Sequence, residues 1–97
     1  MNVKVENLRN INGNEVKNQY MFYLMVNGEH IKIFQSYNSE ILIWENGVLT
    51  RIGKDWNKSH TTMKYIEQLT GLNKKAFEKM LENDYIYDDF LELYKLK

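Results

Sequence analysis

The pair Asn27-Gly28 lies between two runs rich in β-branched and aromatic residues, 18–26 and 29–37. Asn-Gly in that setting is the strongest short-range hairpin signal, because both residues tolerate the positive φ of a type I′ turn. A two-residue turn also fixes register. Val26 then faces Glu29, Leu24 faces Ile31, Phe22 faces Ile33, Tyr20 faces Gln35 and Asn18 faces Tyr37. The period of two puts these pairs on one side of the hairpin, apolar near the turn and polar at the far end. The other side carries Met25/His30, Tyr23/Lys32, Met21/Phe34 and Gln19/Ser36, a mixed set suited to half exposure.

Flanking strands follow the same logic. Residues 2–11 read as a first strand through Val3, Val5, Leu8 and Ile11, closed by a four-residue loop at 12–15. That loop pairs Ile11 with Val16, Val5 with Phe22 and Val3 with Leu24, and keeps the apolar side chains together. Residues 41–45 form a fourth strand, Asn46-Gly47 turns it, and 48–53 forms a fifth. The second turn pairs Trp44 with Leu49, Ile43 with Thr50 and Ile41 with Ile52. Short turns between successive strands predict an antiparallel meander of about five strands.

Beyond residue 53 the period changes. Ser59 or Thr61 caps a helix carrying Met63, Ile66 and Leu69, and Gly71 ends it. Asn73 caps a second helix whose inward stripe is Phe77, Met80 and Leu81, with Leu72 and Phe77 as a hydrophobic staple. Asp88 caps a short third helix through Phe90, Leu91 and Tyr94. The expectation is an α+β chain: a meander over about 2–53, then two or three short helices over about 59–96 packed on one sheet face. The inward set is Val3, Val5, Phe22, Leu24, Ile31, Ile33, Ile66, Leu69 and Phe77.

The 97 residues suit one domain with a modest core, and 43% hydrophobic with 13% aromatic content argues for a folded chain. No cysteine is present, which excludes disulfides and thiolate metal sites. No apolar run reaches membrane-spanning length, and the first residues lack a signal-peptide pattern, so the cytoplasm is the expected compartment. Net charge is zero but unevenly spread. Residues 51–81 hold seven basic and three acidic groups, while residues 82–97 hold five acidic and two basic.

Three groups of residues are candidates for function. The first is polar: Asn18, Gln19, Tyr20, Gln35, Ser36 and Tyr37 at the far end of the hairpin, with Ser59, Thr61 and Thr62 at the first helix. Amides and hydroxyls beside a helix N-terminus can hold an anion, and they equally serve to satisfy a sheet end and a cap. The second group is basic and aromatic: Lys54, Trp56, Lys58, Lys64 and Tyr65. Cations interleaved with rings suit phosphates and stacked bases, although a dedicated nucleic-acid binder carries a strong basic excess. The third is acidic and aromatic: Asp84, Tyr85, Tyr87, Asp88, Asp89 and Glu92, fit to dock a basic groove on a partner. His30 and His60 are the only histidines, and no three ligands have metal spacing. No nucleophile setting or glycine-rich phosphate loop is present, so no catalytic residue, cofactor or metal is expected.

Three segments taken together carry a resemblance. Asn18-Gln19-Tyr20, then 34–39 (Phe-Gln-Ser-Tyr-Asn-Ser), then 56–65 (Trp-Asn-Lys-Ser-His-Thr-Thr-Met-Lys-Tyr) resemble a small domain of unknown function. That family is found in proteins of bacteriophages and mobile elements, mainly of Gram-positive hosts. The similarity spans about residues 15–72, with departures at His60 and in the longer acidic end. The resemblance implies a phage or mobile-element origin and brings no established chemistry. Small proteins of that origin act by binding host proteins, so the expectation is a non-enzymatic inhibitor of a host defence complex. Its sharpest form is an anti-CRISPR that blocks a Cas effector, a ribonucleoprotein. The alternative is a small nucleic-acid-binding accessory protein.

Overall fold

The computed structural model describes residues 2–81 and 86–87. Five strands run in chain order: β1 (Asn2–Arg9), β2 (Glu15–Val26), β3 (Glu29–Ser36), β4 (Ser39–Glu45) and β5 (Val48–Gly53). Two helices follow, α1 (His60–Thr70) and α2 (Lys74–Leu81), and then a two-residue strand β6 (Ile86–Tyr87). Strands β1 to β5 form an antiparallel meander, and β6 adds to β5 in parallel. The chain is α+β, as the strand and helix periods predict. The segment expected to form a third helix from Asp88 lies outside the described residues.

Of the three Asn-Gly pairs, those at 27–28 and 46–47 have the expected geometry, while at Asn12-Gly13 only the glycine has a positive φ, 81°. Asn27 and Gly28 take φ of 51° and 81°, and Asn46 and Gly47 take 52° and 84°. Positive φ at both central residues makes a turn whose twist matches that of the strands it joins. The β2–β3 register follows, from Val26↔Glu29 through Leu24↔Ile31 to Gln19↔Ser36.

The β1–β2 register is also as expected at Val3↔Leu24 and Val5↔Phe22, but the hairpin closes differently. β1 stops at Arg9, and Asn10 organises the turn: its Oδ1 accepts the backbone N–H of Asn12 and of Asn14, each at 3.0 Å. Ile11 is left 86% exposed rather than paired with Val16. A bulge at Asn18, with φ of 65°, absorbs the extra residues of β2.

Bulges also change the β4 pairings. Ile43 faces Arg51 and Leu42 faces Ile52, in place of the expected Ile43/Thr50 and Ile41/Ile52. A second irregularity between Phe34 and Gln35 brings the consecutive residues Ile41 and Leu42 into one core cluster. A bulge suspends strict alternation.

The inward set therefore splits in two. The helices pack on the mixed side of the hairpin, not on the side of Val3 and Phe22. Leu8, Met21, Phe34, Ile41, Leu42, Trp44 and Ile52 meet Trp56, Tyr65 and Ile66, with Phe77 from α2 and half-buried Leu69. Phe22, Leu24, Ile31 and Ile33 instead form a second cluster with Val26 and Ile43 on the opposite side. Val3 and Val5 are each 51% exposed, because an edge strand has a neighbour on one side only. Phe34 and Phe77 are fully buried. Each contributes about 1.5–3 kcal/mol by leaving water.

The helix ends are built as the capping residues direct. Ser59 caps α1, and its Oγ accepts the Thr62 N–H at 3.1 Å. Gly71 ends α1 in the left-handed conformation, φ 76°. Asn73 Oδ1 accepts the Ala76 N–H at 2.9 Å, at the start of α2. Trp56, in the connection from β5, lies with its ring centroid 5.3 Å from that of Phe77.

Candidate functional site

The helices cover only part of their sheet face. Among the described residues no helix covers the half near the Asn27-Gly28 and Asn46-Gly47 turns. Tyr23 and Met25 are 37% and 38% exposed there, and His30 and Lys4 are exposed. The β3–β4 register sets Lys32 opposite Trp44, and the Lys32 ammonium stands 4.4 Å from the indole centroid. Lys4 lies 5.8 Å from the Tyr23 ring centroid. A cation over a ring face is attracted by the ring quadrupole, weakly at an exposed site such as Lys4, whose side chain is 72% exposed. Tyr23 also donates from its hydroxyl to Glu6 Oε1 at 3.2 Å. Burial first, then the Glu6 charge and hydrogen bond, push the Tyr23 phenol above its ordinary value of 10.0.

Two hollows of about 240 and 250 Å³ share Tyr23, Leu24 and His30, so they form one shallow groove. Lys32, Trp44 and Gly47 line one end, and Val3, Lys4 and Met25 the other. Met and Tyr are enriched at protein interfaces, whereas Lys is depleted there and suits a polar rim. The pairing of Lys32 with Trp44 follows from the β3–β4 register, which the turn residues at 37–38 do not announce.

The polar group is divided by the sheet. Ser36, Ser59 and Thr62 come together: Ser36 and Thr62 hydroxyls are 2.7 Å apart, and those of Ser59 and Thr62 are 3.0 Å apart. Tyr37, Asn38, Ser39, Asp55 and Lys58 join them around a cleft of about 290 Å³ at the start of α1. Asp55 accepts from the Ser39 hydroxyl at 2.9 Å and pairs with Lys58 at 3.8 Å. Gln19 lies on this face in register with Ser36, fully buried, and among the described residues neither atom of its amide has a partner. Asn18, Tyr20 and Gln35 belong to the opposite side or the bulge, and Gln35 donates to the Tyr37 carbonyl at 2.8 Å. Thr61 is half-buried in the first turn of α1 and takes no part in the cap. Tyr37 is half-exposed at φ 55°, a conformation unusual for a bulky residue.

The basic aromatic group is also divided. Lys54, Lys58 and Lys64 are exposed, whereas Trp56 and Tyr65 are each only 5% exposed and belong to the core. Neither ring offers a face for base stacking. In the acidic group, Tyr87 lies in β6 opposite Gly53, and Asp84, Tyr85, Asp88, Asp89 and Glu92 lie outside the described residues. Among the described residues no three His, Asp or Glu converge on a metal position, and no helix is long and apolar enough to cross a membrane.

Compared with protein-family models, curated proteins and solved structures, the chain gives no match.

Proposed function

We propose that this is a non-enzymatic, cytoplasmic phage or mobile-element protein that binds a host defence complex and inhibits it. In its sharpest form it is an anti-CRISPR that blocks a Cas effector. The observation that carries the reading is the open half of the helix-side sheet face. Tyr23 and Met25 offer apolar anchors, and Lys32 and Lys4 frame them with charge, in a shallow groove suited to a protein surface. The resemblance of 15–72 to a phage domain supplies the class of partner. The acidic stretch Asp84, Asp88, Asp89 and Glu92 adds a second docking element that would mask a basic nucleic-acid groove.

The test is a plaque assay on a host whose CRISPR system targets the infecting phage. Expression of the chain restores plaquing, and Tyr23→Ala with Lys32→Glu abolishes the effect while leaving the unfolding midpoint near that of the parent. Purified effector gives the direct measure: the chain binds it and suppresses target cleavage. Unchanged interference in the host, together with no binding to the effector, overturns the proposal.

The alternative is a nucleic-acid-binding accessory protein acting through Lys54, Lys58 and Lys64. Burial of Trp56 and Tyr65 leaves it with electrostatic contacts alone. It requires mobility-shift binding that weakens steeply with salt. No shift at low salt removes it.

A further inference from the structure

The outer edge of β1 carries a self-complementary pattern. In a two-residue hairpin the closing pair is hydrogen-bonded, so Val26, Leu24 and Phe22 direct their backbone groups to β3. Met25, Tyr23 and Met21 then direct theirs to β1, where Asn2, Lys4 and Glu6 receive them. The backbone N–H and C=O groups of Val3, Val5 and Asn7 point outward, and among the described residues β1 has no strand beyond it. The side chains of Val3 and Val5 are half exposed along that same edge. Edge strands in folded proteins are blunted by proline, shortness, cover, bulges or charge; β1 is eight residues long with no proline, and its protection is the charge of Lys4, Glu6 and Arg9 and the irregularity between Asn7 and Arg9.

We propose that two copies of this chain join antiparallel along β1, in a register centred on Val5. This inference stands apart from the proposed function. Charge selects the register. Centred on Val5, each Lys4 faces Glu6 of the partner subunit, and Val3 faces the partner's Asn7. Side chains keep their faces, so lysine and glutamate meet on the helix side of both sheets. Centring on Lys4 sets lysine against lysine, and centring on Glu6 sets glutamate against glutamate. A shift to a position between residues puts opposite faces together and is forbidden by the period of two. Within one copy Lys4 and Glu6 already lie 3.6 Å apart, so the pairing forms a four-charge cluster of alternating sign about the two-fold axis. The seam makes about six backbone hydrogen bonds. It buries less than the roughly 1,600 Å² of a standard interface, so the dimer is weak and depends on concentration.

Sedimentation equilibrium of the full chain, from about 10 μM to about 1 mM, reads this directly. A monomer–dimer equilibrium is expected. Val5→Pro removes only an outward N–H, which an edge strand tolerates, and should raise the dissociation constant about tenfold or more. Lys4→Glu alone and Glu6→Lys alone should each weaken the dimer. The double variant Lys4→Glu/Glu6→Lys should restore it, and an equimolar mixture of the two single variants should form the mixed dimer. The charge set decides the matter even where Val5→Pro fails to fold. A chain that stays monomeric throughout, or a dimer that responds to none of these changes, overturns the proposal.

Discussion

The hydroxyls of Ser36 and Thr62 lie 2.7 Å apart and join the last residue of β3 to the first turn of α1. Both residues are buried, and Thr62 also receives the Ser59 contact. Thr62→Val keeps the shape and removes both hydroxyl contacts while leaving Ser36 unpartnered. It should cost about 1–3 kcal/mol, read from urea unfolding. Ser36→Ala combined with Thr62→Val should cost less than the sum of the singles, because the second change removes the group left stranded.

Gly53 gives a second prediction. A Cβ there would collide with the backbone carbonyl oxygen of Glu40 on the neighbouring strand. The obstacle is backbone, so it does not swing away as a side chain would. Gly53→Ala should lower stability by about 1–3 kcal/mol, with a matching fall in the thermal midpoint.

Gln19 points the other way. Its amide is fully buried and has no partner among the described residues, and a polar group buried without a hydrogen bond lowers stability. Gln19→Met conserves length and removes the polar atoms. The variant should be more stable than the parent by about 1–3 kcal/mol, measured by denaturant midpoint at unchanged slope.

Tyr23 predicts an alkaline sensitivity. Its folded pKa is raised above 10.0 by burial and by Glu6. The unfolded chain therefore releases this proton first as pH rises. The contribution of this group is whole below its ordinary value, and it is lost as pH climbs through the folded pKa. Ultraviolet titration of the phenolate should find Tyr23 ionising late. Glu6→Gln should move it part of the way back, since burial, the larger cause, remains.

Tyr37 occupies a left-handed position, φ 55°, where a side chain is strained and glycine is not. Tyr37→Gly should therefore be neutral or stabilising in thermal melts, despite the loss of a large side chain. A clear destabilisation would show that the exposed ring makes contacts worth more than the strain.

Much of the local structure is legible in the residues alone. Asn27-Gly28 dictated a turn and, through it, eight residue pairings from Val26↔Glu29 to Gln19↔Ser36. Ser59, Gly71 and Asn73 announced the helix ends. These are nearest-neighbour effects of φ preference and side-chain capping, carried by the residues themselves. The candidate site was legible only in part. Ser36, Ser59 and Thr62 do meet, but Asn18, Tyr20 and Gln35 lie away from them, and the rings of Trp56 and Tyr65 are spent in the core. The groove at Tyr23, Lys32 and Trp44 needed the β3–β4 register, which the local turn residues leave open.

What the sequence by itself determined is therefore the meander, the β2–β3 register and the helix caps. Which side of the sheet the helices cover was decided by tertiary structure. Both sides of the hairpin carry enough apolar surface, and burial is non-directional, so pattern alone does not choose between them. Bulges add apolar surface to the covered side. By suspending alternation they place Ile41 beside Leu42 on the side of Met21 and Phe34, where Trp56, Ile66 and Phe77 complete the core. Among the described residues the cover stops short of Tyr23 and Met25, and the proposed function rests on that opening.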